Sequence, residues 1–128
     1  MNNSNSGSTE LSQLLATMNE QGKFSISVLT DKHGFPIASA AQPGQDPYTK
    51  SAVVALVQKT ALQASSQLGM AQTDEISMYD TEGRRLVCRP FSANGHDMIL
   101  AVLVPTKHQT YRRLTNQAVS AICKSWKL

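Results

Sequence analysis

Long hydrophobic runs are missing from this 128-residue chain. The longest, Met98–Val104, falls far short of the roughly 18 apolar residues a membrane span needs, so no membrane insertion is expected. The opening residues, MNNSNSGSTE, lack a basic segment followed by an apolar one. They do not read as a secretory signal, and a cytoplasmic location is expected. Cysteine is scarce. Cys88 and Cys123 are too few and too far apart for a disulfide scaffold, and both read as buried, reduced thiols. Aromatic residues make up 5% of the chain and form no stripe interleaved with basic residues. That absence removes the surface on which strands stack nucleic-acid bases, so no nucleic-acid partner is expected. His33, His96 and His108 are scattered, and none has a second ligand at helical spacing, which argues against a metal site. No G-x-S-x-G or comparable nucleophile motif is present.

After Glu82 the chain carries one acidic residue, Asp97. Residues 1–82 carry a net −4, whereas residues 83–128 carry a net +7. No long Lys/Arg run accompanies the basic half, so it reads first as a solvated basic face. One near-miss is Gly44-Gln45-Asp46-Pro47-Tyr48-Thr49-Lys50-Ser51. A phosphate-cradling loop needs glycine where Thr49 stands, because the backbone must approach the phosphates closely. Pro47 removes a further N–H donor. The segment reads as a capped helix start, and no cofactor is expected.

What is present is a regular succession of patterns. Residues 1–8 are small and polar and read as a mobile tail, leaving 9–128 as one domain. Leu11, Leu14, Leu15 and Met18 then form one helical stripe, with Ser8 as N-cap and Gly22 as a left-handed C-cap. From Lys23 to Thr30 the period drops to two, and Phe24, Ile26 and Val28 form an apolar face opposite Ser25, Ser27 and Leu29. Asp31-Lys32-His33-Gly34 is a turn, and Pro36 in the next strand places that strand at a sheet edge.

Asp46-Pro47 starts a second helix that Gly69 ends. At 100° per residue, Val53, Val54, Val57, Ala61, Ala64 and Leu68 form one apolar arc, expected to face the core. A nearly opposite arc holds Ala52, Ala55, Leu56, Lys59, Leu62 and Ser66. A helix with two such arcs requires two neighbours. Three strands follow: Asp74–Tyr79, Arg84–Phe91 and Met98–Val104. The turn between the last two contains Asn94-Gly95, and the last strand is apolar on both faces, as a central strand should be. Thr106 caps a final helix, Lys107–Trp126, with Tyr111, Leu114, Ala118, Ala121 and Ile122 as its stripe. The fold class is α/β in the α+β sense. The order is α-β-β-α-β-β-β-α, with a five-stranded, mainly antiparallel, profilin-like sheet and helices on both faces.

This order resembles the Roadblock/LC7 domain family. So do Leu11-x-x-Leu14-Leu15, the hairpin Val28-Leu29-Thr30-Asp31-Lys32-His33-Gly34-Phe35-Pro36-Ile37-Ala38, and Ala64 late in the second helix. Further matches are Ile76-x-Met78, Gly83-Arg84-Arg85-Leu86-Val87, Leu100-Ala101-Val102-Leu103 and Tyr111-Arg112-Arg113-Leu114. The similarity spans about residues 9–126. It implies a stand-alone, non-catalytic module that dimerises through the second helix and third strand and regulates or scaffolds a Ras-like small GTPase. An adaptor subunit of a motor or multiprotein complex, without a GTPase, is the alternative. The resemblance assigns no catalytic role, and no arginine finger, to Arg84 or Arg85. The interface residues it implies, together with the second arc, are Ala52, Ala55, Leu56, Lys59, Leu62, Gln63, Ser66, Ile76 and Met78.

Overall fold

The computed structural model describes residues 3–44 and 46–126. The elements run α1 (Asn3–Gly22), β1 (Ile26–Asp31), β2 (Pro36–Ala41), α2 (Pro47–Leu68), β3 (Ile76–Tyr79), β4 (Arg85–Ala93), β5 (His96–Val104) and α3 (Arg112–Ser125). The five strands form one sheet in the order β2-β1-β5-β4-β3. Every neighbouring pair is antiparallel. Helices cover both faces, as the patterning requires. One buried cluster joins Leu11, Leu15 and Met18 of α1 and Ala118 and Ile122 of α3 to Leu29, Val87, Leu100 and Val102. The other joins Val54 of α2 to Ile26, Val28, Cys88, Ile99 and Ala101. Among the described residues no helix is long and apolar enough to cross a membrane.

The sheet interior follows from alternation. β5 sends Met98, Leu100, Val102 and Val104 to the α1/α3 side, and Ile99 and Ala101 to the α2 side. β1 does the same with Leu29 against Ile26 and Val28. The one-sided reading of β1 is therefore corrected. Ser27 and Leu29 are fully buried too, because β5 and β2 flank the strand and helices cover both faces. Phe24 lies ahead of the strand and packs in the α1/α3 cluster, not beside Ile26. Burying each large side chain completely contributes roughly 1.5–3 kcal/mol.

The two Asp-x-x-Gly turns are built alike. Asp31 Oδ1 accepts from the N–H groups of His33 and Phe35 at 2.8 and 3.0 Å. Asp80 Oδ1 accepts from Glu82 and Arg84, both at 2.9 Å. Gly34 at φ 88° and Gly83 at φ 87° take the left-handed position that a side chain disfavours. Pro36 stands on edge strand β2, where its missing N–H breaks no inner ladder. Asn94 and Gly95, at φ 55° and 81°, close the tight β4–β5 hairpin.

Several termini differ from the sequence reading. α1 starts at Asn3, so Ser8 lies inside the helix and is not its N-cap. No proline interrupts that stretch, and extending an existing helix adds one hydrogen bond per residue fixed. The left-handed residue after α1 is Lys23 at φ 58°, not Gly22. The Phe24 N–H donates to Asn19 O at 3.0 Å, closing the turn over the helix end. Gly22 is needed for another reason: a Cβ there would overlap the Phe24 ring. α3 starts at Arg112, and its N-cap Tyr111 makes no side-chain cap bond. Thr106 instead pairs its hydroxyl with the Gln109 amide, and that amide donates to the carbonyls of Gly22 and Lys23. Residues 106–110 thus hold the end of α1 and are unavailable as helix. Cys123 is exposed, in contrast to buried Cys88, because α3 turns it away from the line Thr115, Ala118, Ile122.

Candidate interaction surface

α2 covers only part of its sheet face. Across the sheet, Ile76 stands opposite Cys88, Cys88 opposite Ala101, and Ala101 opposite Val28. Cys88, Ala101 and Val28 in this row are buried beneath α2. The parallel row runs Met78, Leu86, Leu103, Ile26. Here burial fades toward the β3 edge: Ile26 is buried, Leu103 and Leu86 are half-buried, and Met78 is 54% exposed. Val57, Ile76, Leu86 and Leu103 all pack against the α2-side cluster while remaining partly open. The outcome is an apolar step, with α2 as its wall and the Met78–Leu86–Leu103 row as its floor.

The orientation of α2 differs from the wheel drawn on apolar residues. Its buried line is Ser51, Val54 and Gln58, with Ala55, Val57, Ala61 and Ser65 half-buried. That line is rotated by roughly 70–80° from the expected core arc at 100° per residue. Val53 and Leu68, expected inside, are 42% and 74% exposed, and Ala64 is exposed as well. Small and polar residues occupy the closest approach instead. A Cβ at Gly34 would meet the Ala55 Cβ at 2.5 Å and Ser51 O at 3.1 Å, so the β1–β2 turn presses directly on α2. Pro47, Tyr48, Thr49 and Lys50 side chains, and Gln45 altogether, lie outside the described residues.

The expected interface residues divide accordingly. Ala52, Leu56, Lys59, Gln63 and Ser66 are exposed on the outer side of α2, with Leu56 at 65%. Ala55 does not belong with them, because it is seated on the Gly34 turn. Leu62 is half-turned inward. It is 54% exposed but lines a cleft of about 190 Å³ with Gln58, Thr73, Pro90, Phe91 and Ile99. Ile76 is half-buried under α2, and Met78 is open. Sequence reasoning assigned Val53 to the core and did not single out Leu86 and Leu103. Their alternation is that of core residues, and nothing local marks the end of the helix cover.

The opposite side of the β3 edge is polar and internally committed. Glu75 accepts from Tyr111 Oη at 2.5 Å, Ser77 Oγ at 2.9 Å and Arg112 at 2.6 Å. Burial pushes its carboxyl up, but these donors outweigh burial and hold it below the usual carboxylate value. Arg112 also reaches Asp74 at 2.9 Å. Arg85 is stacked between two rings, 4.7 Å from the Tyr79 centroid and 4.6 Å from that of Tyr111. Arg89 donates to Thr115 and Asn116 at 3.0 and 2.6 Å. Arg84 pairs with Asp80 and Glu82. Much of the basic half therefore serves intrachain contacts.

Known structures share this arrangement. The gliding protein MglB of Thermus thermophilus superposes with a TM-score of 0.75 at 15% identity, over 93% of this chain and 90% of that one. MglB of Myxococcus xanthus gives 0.70 at 14% identity, covering 91% of each chain. A Roadblock/LC7 domain from Streptomyces avermitilis gives 0.70 at 14% identity, over 89% of this chain and 92% of that one. The chain has the Roadblock/LC7 fold. No family model and no curated protein matches the sequence, so the likeness is carried by architecture. In this Roadblock/LC7 fold the apolar step and the open β3 edge adjoin on one side of the sheet.

Proposed function

We propose that the chain is a non-catalytic interaction module that forms a homodimer through α2 and β3 and, as a dimer, regulates or scaffolds a Ras-like small GTPase. The observation that carries this reading is the apolar step beside an unpaired strand. Val53 and Leu56 are exposed on α2, and exposed Met78 stands in one row with half-open Leu86 and Leu103 on the sheet. Contiguous apolar surface of this kind marks an interaction site rather than a solvated face. A second copy brings the same apolar residues and its own open edge. One solved MglB has a tetrameric arrangement, which supports self-association in this fold. The GTPase partner rests on the resemblance to the Roadblock/LC7 family, many of whose members bind such proteins. The mutual pairing of Glu75, Arg112 and Tyr111 supports a non-catalytic role, because these groups are already spent on one another.

The test has two stages. Sedimentation of the wild-type chain at micromolar concentration should give a dimer. Purified dimer should then capture a candidate small GTPase and hydrolyse no GTP by itself. A wild-type monomer at high micromolar concentration would remove the dimer, and GTP turnover by the chain alone would remove the non-catalytic reading.

A further inference from the structure

Between α2 and the hairpin end of β4 and β5 lies a cleft of about 190 Å³. Its lining is mostly apolar, with Leu62 on the α2 wall and Pro90 and Ile99 on the floor. Pro90 stands opposite Ile99, and both follow the alternation that turns Cys88 and Ala101 of the same strands toward α2. Burial deepens toward Ile99 and Gln58, which are 1% and 8% exposed. Gln58 Oε1 nevertheless accepts no hydrogen bond among the described residues. A buried acceptor is unfavourable unless a donor reaches it. The two hydroxyls of the lining are engaged elsewhere. Thr73 Oγ1 lies 3.4 Å from Ser65 Oγ, and Ser92 Oγ donates to Asp97 Oδ1 at 2.6 Å. The mouth carries opposite charges on two exposed side chains, Lys32 of the β1–β2 turn and Asp97 of β5.

We infer that this cleft binds a free amino acid with a phenolic side chain, of the kind L-tyrosine represents. Size sets the ring: a cavity of about 150 Å³ accepts one benzene, so a cleft of about 190 Å³ takes one ring with a polar substituent. Apolar walls at Leu62, Pro90 and Ile99 suit the faces of that ring. Gln58 sets the substituent. A phenol carries its O–H at the end of the side chain farthest from the charged head. A ring entering from the mouth therefore brings that donor to Gln58 Oε1. A ring without the hydroxyl leaves the acceptor unpaired, and such a site discriminates strongly against it. The charged head belongs at the mouth, where Lys32 pairs with the α-carboxylate and Asp97 with the α-ammonium. A tyrosine within a polypeptide has neither charge, so the mouth selects the free amino acid over a partner's side chain. A few directed polar groups in an apolar recess are the usual make-up of a small-molecule site. The cleft lies on the sheet side of α2, away from Leu56 and Lys59, and the inference does not depend on the dimer proposed above.

Calorimetric titration of the purified full chain tests the site. L-Tyrosine should bind saturably. L-Phenylalanine, which lacks only the hydroxyl, should bind at least tenfold more weakly. N-acetyl-L-tyrosinamide keeps the phenol but has neither head charge, and it too should bind at least tenfold more weakly. Gln58→Leu should reverse the first preference and take phenylalanine over tyrosine, because the phenol is then buried without an acceptor. Should that variant fail to fold, the wild-type ratio of tyrosine to phenylalanine decides alone. No saturable binding of tyrosine up to its solubility limit would overturn the inference, and so would equal affinities for tyrosine and phenylalanine. Equal affinities for tyrosine and N-acetyl-L-tyrosinamide would overturn it as well, and would assign the cleft to a side chain of a partner protein.

Discussion

Gly34 sits directly under Ala55: a Cβ on the glycine would lie 2.5 Å from the Cβ of the alanine. This contact joins the β1–β2 turn to the first half of α2 and sets how far the helix can roll over the sheet. With Ala55 and buried Ser51 pinned there, Val53 is turned outward and Leu56 further still. The exposed apolar surface is thus a consequence of a glycine on another element.

Gly34→Ala should cost more than an ordinary glycine replacement. A side chain at φ 88° costs about 1–2 kcal/mol by itself. Forcing α2 away adds roughly 1–3 kcal/mol. Gly95→Ala is the control, since its φ is 81° but nothing lies within 4 Å of the new Cβ. Denaturant unfolding should rank Gly34→Ala well below Gly95→Ala. Equal losses would show that the Ala55 contact yields at no cost.

Glu75 should contribute to an acid-side loss of stability. Its folded carboxyl lies below the ordinary value of 4.5 because the donors from Tyr111, Ser77 and Arg112 outweigh the opposing effect of burial. A depressed carboxylate stabilises the fold above its unfolded pKa, and this contribution is lost as pH falls through the folded value. The loss therefore begins as pH drops past about 4.5. Unfolding free energy measured against pH should fall less steeply below that point in Glu75→Gln than in wild type. Superimposable acid limbs would remove Glu75 from the account.

The two thiols should differ sharply. Burial pushes the Cys88 thiol up to about 12, leaving almost no thiolate at neutral pH. Cys123 is exposed on α3. A thiol reagent should modify Cys123 promptly in the native chain and Cys88 only after denaturant is added. Rapid native labelling at Cys88 would mean that α2 opens readily from the sheet.

The order of elements was legible because each announces its period locally. Phe24–Thr30 and Met98–Val104 alternate or are apolar throughout, Asp-x-x-Gly and Asn-Gly mark turns, and Pro36 marks an edge. The face of α2 was not legible. Its closest approach to the sheet uses Ser51 and Gln58, while Val53, Leu56 and Leu68 look outward. Apolar identity reports what a residue gains from burial, not which neighbour is there to provide it. The start of α3 was hidden for a similar reason: Gln109 binds carbonyls more than eighty positions earlier in the chain.

Interface variants should separate by their place on α2. Leu56→Asp and Met78→Asp introduce charge at positions 65% and 54% exposed in the single chain, so folding should change little. Each should nevertheless yield monomers, because the proposed dimer would bury the charge without a counter-ion. Leu62→Asp should behave differently. Its side chain lines the cleft with Phe91 and Ile99, so it should lower monomer stability as well. Sedimentation paired with thermal unfolding reads both effects. Dimers surviving in both Leu56→Asp and Met78→Asp would show that the copies meet elsewhere.

Salt dependence should then distinguish the two surfaces open to a small GTPase. The basic half looks like the natural site for an acidic partner until its arginines are traced. Arg84 and Arg112 are in ion pairs, Arg85 is held between two rings, and Arg89 bonds Thr115 and Asn116. A partner recruiting these groups must first release them, and changing them disturbs the chain itself. In the proposed dimer a groove between paired α2 helices would set exposed Leu56 at its centre and exposed Lys59 at its rim, and would ask no such exchange. Affinity should therefore change by only about threefold between low and physiological salt, where screening reaches to about 8 Å. Lys59→Glu should weaken binding with the dimer intact, whereas Arg113→Glu/Lys124→Glu on exposed α3 should not. The reverse pattern, with a steep salt dependence, would move the partner to the α3 side and leave the α2 groove as a dimer contact alone.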